Sequence, residues 1–490
     1  MKIFSVVSVF FAAVFTTTAQ TNLNVAAREM SLQDCIQMAL SHNFDVQIER
    51  FDPQASLYNL RADYSGYDPI FNFSGKHSFN VATTNQTPTT TTRSDSFNSD
   101  IGGTAPWGLQ YDFSGNAADQ RFEPGPDSAE STSGSIGVTL TQPLLKNFWI
   151  DKTRLTIRVD KIQLKFSEQS LRQQFITTIT AVENAYDELI YAQESVKVQQ
   201  EALNLAQTQL DQDNQRVQIG TLAQLDVQQD QAQVAQSQAN LIAAQSTLNK
   251  DQNTLKNLIT DAYSQWHDTD IQPTVRLEAP LQLFDLQDSW GKGMTERPDL
   301  LQSRLNVEKQ GIQLKFDRNQ IYPELDLIGT YGFNGASKEF SGTLGQFNEG
   351  NAPFYSYGAQ LTIPLGNLGP RNQYKSDKAI EAQLLLKLKQ LEQTIMVQID
   401  NDVKQAQSDY QSVNATRSAR TYAEAALDAE QKKYNVGKST TFTVLQLQNT
   451  LTADRAAEIR ALANYNEDLA NLANDEGSTL ERNGISVEAK

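Results

Sequence analysis

The chain has 490 residues, a formal charge of −17 and 39% apolar residues, with a mean hydropathy of −0.49 and a pI near 4.7. That acidity excludes nucleic acid as a partner class, because phosphate binding needs clustered Lys and Arg. So low an apolar content at this length excludes one large compact core and suits long helices that bury narrow seams.

Residues 1–20 read as a secretory signal peptide. Lys2 is the charged start, Ile3–Phe15 the apolar stretch, and Thr17-Thr18-Ala19 a small-residue cleavage site. Beyond Gln20 no run of about 18 apolar residues follows, so no transmembrane helix is expected; a β-barrel remains the other way to cross a bilayer. The single Cys35 has no partner for a disulfide, lacks the small-residue context of a lipidated cysteine, and reads as inert packing on an amphipathic helix.

Two helices are predicted first, Ser31–His42 and Phe44–Gly66, leading into a strand at Asp68-Pro69. This opening recurs. Leu32-Gln33-Asp34 returns as Leu286-Gln287-Asp288, Asp45 as Asp299, Pro69 as Pro323 and Gly75 as Gly329, always at the same offset. Identities at one fixed offset mark an internal repeat. After Pro69 the period falls to two: Phe71, Phe73, Gly75, His77, Phe79 and Val81 alternate with polar residues. Leu325, Leu327, Gly329, Tyr331 and Phe333 repeat this, and returning strands follow around 134–143 and 353–364. A soluble half-buried sheet alternates likewise. Export and the small number of strands favour a membrane barrel.

Between the first two strands lies a longer insert, 84–133. Ala82–Thr92 reads as a Thr-rich loop, Phe97–Gly103 and Trp107–Phe113 as a hairpin turning at Thr104-Ala105-Pro106, and Arg121–Ser135 as loop again. The expectation is an extracellular elaboration, with added barrel strands as the alternative. The second copy has only the shorter Asn334–Ala352 here.

Two very long helices follow the strands, from about Lys146 to Gln215 and from about Pro370 to Asn435. At 1.5 Å per residue each is roughly 100 Å long. Phe175, Val182, Leu189, Val196, Leu203, Leu210 and Val217 recur at seven-residue steps, as do Val227, Val234, Leu241, Leu248 and Leu255 on the returning arm. Such spacing is a coiled-coil seam. The tips lie at Gly220 and Gly437, with Thr221 and Gln224 expected to form a capping box. The returning arm Thr221–Thr260 and the helix Pro298–Asn319 together match the height of one long helix, as do Thr440–Glu476 and Phe44–Gly66. Each half is thus expected to supply one continuous and one interrupted rod. Residues 261–285 read as an irregular collar segment between a first repeat at 21–260 and a second at 286–476, with 477–490 a tail.

No metal-ligand spacing, paired cysteines, phosphate loop or nucleophile elbow appears, so neither enzyme activity nor a cofactor is expected. Four strands per chain cannot close a barrel, so closure calls for several copies; three would give twelve strands over twelve rods. The fold class expected is mainly α with a membrane β-barrel: coiled-coil hairpins and four barrel strands per chain, twofold repeated, in a trimer.

The repeat, the strand pairs and the tips Arg216-Val-Gln-Ile-Gly220…Leu225-Asp226-Val-Gln and Tyr434-Asn-Val-Gly437…Val444-Leu445 resemble the TolC family of outer-membrane efflux and secretion channels. The resemblance spans nearly all of Met30 to Glu476. It implies a homotrimer with a shared barrel in outer-membrane lipid and a helical tunnel in the periplasm. Its implied partners are a periplasmic adaptor and an inner-membrane pump. It places Asp226 in the network that holds the aperture shut and matches Tyr434 to the tyrosine of the family's second tip, a further gate candidate. The family's inward acidic rings fall on Thr443 and Gln446, and its second-tip Arg on Ser439, so this chain lacks the acidic constriction. Asp226 also reads as a plain first-turn carboxylate, and Tyr434 as plain seam packing. Arg216, Ile219, Gly220, Thr221, Val436, Gly437, Lys438 and Ser439 are the expected adaptor-docking tip. The alternative function is a periplasmic coiled-coil adaptor or spacer, which would have no use for aromatic-rich alternating strands.

Overall fold

The computed structural model describes residues 26–84, 87–123 and 129–485. The expected signal peptide lies outside these residues. Strand β1 (Ala26–Met30) and helices α1 (Leu32–His42), α2 (Phe44–Glu49) and α3 (Phe51–Asp63) come first. Ser31 caps α1 through a reciprocal box with Asp34, and Asn43 caps α2 by accepting from the N–H groups of Asp45 and Val46.

Two helices dominate, α4 (Lys152–Gln218) of 67 residues and α10 (Leu368–Asn435) of 68. Each is about 100 Å long at 1.5 Å per residue. α4 starts several residues later than the expected Lys146. Asn147 sits at φ 63°, which stops helix there, and Asp151 then caps the true start by accepting from Arg154 N at 2.7 Å. Helix α5 (Gln224–Ile259) returns along α4, and α11 (Thr441–Glu476) along α10. The heptad positions Phe175, Val182, Leu189, Val227, Leu241 and Leu255 are buried in the seam. One layer on, at the second seam position of each heptad, stand small or polar residues: Thr178, Ala192, Ala206, Asp213, Asp230 and Ser237, all buried.

The short helix α6 (Tyr263–Trp266) and strand β6 (Thr269–Pro273) follow α5. β6 pairs in parallel with β1, so the segment expected to be irregular joins the chain's first described residues. Around this pair a core forms from Ile36, Ala39, Phe175, Ile176, Leu255 and Ile271. Cys35 lies within it, and burial pushes its thiol pKa up to about 12, so it packs as an inert group. Tyr186 pins the junction: its hydroxyl donates to Met30 O at 2.9 Å and accepts from Thr274 N at 3.2 Å.

Helix α7 (Leu286–Glu296) repeats α1, and α8 (Pro298–Gln320) repeats the α2–α3 segment. The stacking of the interrupted rods differs from the expected pairing. α5 meets α2, where Asn43 Nδ2 donates to Leu258 O at 3.0 Å. α11 meets α8, where Gly477 at φ +76° comes so close to Arg297 that a Cβ would lie 3.0 Å from its backbone nitrogen. Arg297 Nη1 also donates to Asp475 O at 3.3 Å. Matching heights allowed either pairing; the caps chose. Each repeat therefore completes its own rod. A four-residue helix α12 (Thr479–Arg482) ends the described chain.

The sheet holds six strands: β2 (Ile70–Thr84), β3 (Thr87–Thr104), β4 (Gln110–Glu123), β5 (Ala129–Pro143), β7 (Glu324–Ser337) and β8 (Pro353–Thr362), antiparallel in that order. This corrects the expected four. The insert supplies β3 and β4 at full length, so β2 pairs with β3 rather than with its returning strand β5. The described part of the Thr-rich segment, 82–84 and 87–92, is strand, not loop. Thr91 faces Val81 and Thr92 faces Asn80, as β-branched threonines favour. The β3–β4 turn spans 105–109, later than expected, closed by Ala105 N donating to Leu109 O at 2.7 Å. Helix α9 (Phe340–Glu349) occupies the second-copy loop and packs on β5 and β7, with Thr343 Oγ1 donating to Thr132 O at 3.3 Å.

Among the described residues no helix is long and apolar enough to cross a membrane. The sheet has two distinct sides. Phe71, Ile101, Phe113, Val138, Tyr331 and Tyr355 align across all six strands on one side. On the other run Asn72, Asp100, Ser114, Gly137 and Gly332, a polar and small row that ends on Phe354, whose ring lies over the two glycines.

Tyr186→Phe should lower the thermal midpoint of the helical region, followed by circular dichroism. Removing the hydroxyl takes a hydrogen bond from Met30 O and from Thr274 N, a loss of about 1–2 kcal/mol.

Candidate functional site

The two helix tips turn alike. At the first, Gly220 has φ +76°, its N–H donates to Val217 O at 2.9 Å, and Thr221 N–H donates to Arg216 O at 2.9 Å. At the second, Gly437 has φ +75°, its N–H donates to Tyr434 O at 3.0 Å, and Lys438 N–H donates to Lys433 O at 2.9 Å. These paired bonds close a helix through a left-handed residue, which only glycine adopts without strain. The expected Thr221–Gln224 capping box does not form. α5 begins at Gln224 with Ala223 as its cap and no side-chain capping bond. Thr221 Oγ1 instead donates to Arg216 O at 3.0 Å, because the free carbonyls ending α4 lie closer to it than the N–H groups of α5. The second tip is capped as a helix start should be, with Thr440 accepting from Thr443 N.

The expected docking residues divide into two sets. Ile219 and Val436 are 75% and 68% exposed, with Leu225 and Phe442 beside them at 63% and 66%. Gly220, Thr221, Gly437 and Lys438 are exposed as well. Arg216 and Ser439 are held instead: Ser439 Oγ donates to Glu430 Oε1 at 2.5 Å. Arg216 Nη2 donates to Asn435 Oδ1 at 3.0 Å, and its guanidinium lies 4.3 Å above the Tyr434 ring.

Behind that rim is a buried polar cluster. Tyr434 OH donates to Asp213, 2.7 Å from both carboxylate oxygens, and lies 2.9 Å from Thr441 Oγ1. Gln209 Nε2 donates to Asp213 Oδ2 at 2.8 Å, and Arg216 Nη1 lies 3.8 Å from Oδ1. Asp230 faces Asp213 from α5, with neither carboxylate oxygen bonded to any donor. Burial, then the Asp213 carboxylate, pushes the Asp230 pKa up to about 7. Asp230 therefore keeps its proton closer to neutrality than an ordinary carboxylate does. Burial likewise pushes the Tyr434 hydroxyl up to about 12, so it stays a donor.

Of the expected gate residues, the structure brings only Tyr434 into this cluster. Its partner is Asp213, not Asp226, which stands in the first turn of α5. Thr443 is half-buried beside its cap Thr440, and Gln446 is exposed. Asp213 and Asp230 escaped the sequence reading. They fall three residues after Leu210 and Val227, at the other seam position of those heptads, where a lone carboxylate signals either a partner or a proton. The arrangement latches α4 to α10 and α11 at the tip through Tyr434 and Thr441.

The raised Asp230 pKa gives a signed prediction. Between the ordinary carboxylate range near 3.8 and about 7, the folded tip binds more protons than the unfolded chain, so its stability falls as pH rises through that window. Asp230→Asn should flatten this dependence. The thermal midpoint of native and substituted protein, measured across pH ~4 to ~7, checks it.

Residues 35–260 and 294–477 match the family model described as outer membrane efflux protein. The chain is 25% identical over 391 residues to the outer membrane protein TolC of Escherichia coli (strain K12), covering 78% of this chain and 75% of that one. Its fold is similar to that of the CmeC outer membrane channel of Campylobacter jejuni, with a TM-score of 0.66 at 16% identity, covering 91% of this chain and 86% of that one. It is similar also to the outer membrane protein VceC of Vibrio cholerae, with a TM-score of 0.65 at 16% identity, covering 93% and 97%. The two matched segments carry one helical hairpin each and together take in most of the sequence: the chain belongs to the outer membrane efflux protein family.

Proposed function

We propose that this protein is the outer-membrane channel of a tripartite efflux pump or type I secretion system, a passive homotrimeric duct from the periplasm to the outside. The carrying observation is the six-stranded sheet standing on rods about 100 Å long. Its strands β2 and β8 have no partner on their outer sides among the described residues. An apolar-faced sheet cannot leave such edges bare in lipid, so the wall closes by joining copies. The rods then form a periplasmic tunnel with the tips gathered at its far end. A periplasmic adaptor, linked to an inner-membrane pump, docks on the rim of Ile219, Gly220, Thr221, Val436, Gly437 and Lys438. Apolar Ile219 and Val436 supply its contact area, with Arg216 and Ser439 holding the rim in shape. Thr443 and Gln446 line the aperture, with Asp226 beside them in the first turn of α5 and Tyr434 buried behind as part of the gate.

Membrane fractionation and native mass measurement in mild detergent test this reading. The expected result is an outer-membrane species with the mass of three chains. A soluble periplasmic monomer overturns it.

The aperture yields a second expectation. With Thr443 and Gln446 where an acidic ring would otherwise stand, little fixed negative charge lines the narrowest point. Clustered carboxylates in a poorly hydrated ring hold multivalent cations strongly, and neutral groups do not. Conductance in a planar bilayer should be nearly insensitive to trivalent cations at about micromolar concentration. Thr443→Asp together with Gln446→Asp should create the block.

A further inference from the structure

The hairpin β3–β4 is built like the rest of the sheet. Its register continues that of β2 and β5 without a break, from Thr91 and Glu123 at one end to Thr104 and Gln110 at the other. Its turn at 105–109 lies at the helical end, level with Ile70 and Thr141. There Gly108, at φ +91°, lies against Arg154 near the start of α4, leaving no room for a side chain. The alternation carries through as well. Phe97, Ile101, Tyr111 and Phe113 face the apolar side; Asn98, Asp100, Asp112 and Ser114 face the polar one.

On β3, β4 and β5 the apolar side spans seven residues, Phe97–Gly103, Tyr111–Ala117 and Gly134–Leu140, and on β7 eleven, Leu325–Gly335; at ~3.3 Å rise and ~40° tilt seven residues are roughly 18 Å tall, most of a lipid-facing band of about 25 Å. Beyond it the row turns polar at His77, Asp95, Asp119 and Thr132. A shallow trough of about 420 Å³ crosses this side over Gly115, between Phe71, Ile101, Phe113, Ile136 and Tyr331. Two of its walls, Ile101 and Phe113, belong to the hairpin.

We propose that β3 and β4 are membrane wall and that the assembled ring holds eighteen strands. The proposal rests on the trimeric reading above. Eighteen strands ~4.8 Å apart and tilted ~40° close a wall about 36 Å across the backbone, against about 24 Å for twelve. Four rods per chain in three copies make twelve, which at 9–10 Å spacing enclose about 115 Å of circumference. Eighteen strands meet that circumference at ordinary tilt. Twelve would need a tilt of ~60° to do so. The hairpin's lumen side adds small polar groups, among them Asn98, Ser114 and Asn116, so the mouth stays open and wet.

The test uses the full-length trimer in lipid vesicles, with a single nitroxide on Ile101→Cys, Phe113→Cys, Asp100→Cys or Asp112→Cys, and with Phe71→Cys and Tyr331→Cys as references. Cys35 is buried and is left in place. Accessibility to oxygen, which partitions into lipid, is compared with accessibility to a water-soluble nickel chelate. The expected result is an oxygen-to-nickel ratio at 101 and 113 equal to that at 71 and 331, and several-fold above that at 100 and 112. Aqueous readings at 101 and 113 with lipid readings at 71 and 331 overturn the proposal and leave the channel reading intact. Aqueous readings at all four sink the channel reading itself. A native mass other than three chains overturns the eighteen-strand count.

Discussion

Backbone hydrogen bonding at the sheet edges is the constraint on which the rest depends. Within hydrocarbon there is no water to satisfy a bare N–H or C=O, so a strand edge there costs several kcal/mol per unpaired group. Among the described residues five strand interfaces are closed within the chain, and the outer sides of β2 and β8 have no partner. On the function proposed above, those two edges join copies of the chain, and that joining arranges the helices into a tube. The very long helices follow from the same logic. Each would expose too much surface alone, but in a ring every rod has two neighbours to bury against.

The tip works against this stability. Most of the seam is apolar at one heptad position and small at the other, which packs closely and gives way reluctantly. At the end of α4 the seam changes character, and Asp213, Asp230, Gln209, Tyr434 and Thr441 take over. Polar groups in such a place contribute less net stability than apolar ones, and they specify which helices meet.

The duplication has its own physical reading. Both halves lay down a strand pair, a long helix, a glycine turn and a returning arm, and each repeat completes its own interrupted rod. The halves differ where the sheet faces outward. The first gained a full hairpin, β3–β4, and the second a short helix, α9, resting on Gly134 and Gly335. Insertions at that end leave the rods and tips unchanged, so the wall can widen while the helical machinery stays the same.

Much of this was written in local pattern. Period-two alternation after Pro69 and Pro323, seven-residue steps along α4 and α5, and glycines at 220 and 437 are properties of short stretches. They alone determined the strand that opens and the strand that closes the sheet segment of each half, the two helical hairpins and their glycine turns. The tertiary structure decided what local pattern leaves degenerate. Whether the Thr-rich insert is loop or strand depended on β2 and β5 offering it edges to pair with. Which arm stacks on which helix depended on Asn43 reaching Leu258 and on Gly477 fitting against Arg297, because equal lengths do not distinguish the pairings. The partner of Tyr434 depended on which carboxylate three-dimensional packing carries to it: Asp226 is in the right turn, but Asp213 faces the right way. Side-chain direction around a helix is set by neighbours that lie far away in the chain, and no local stretch records them.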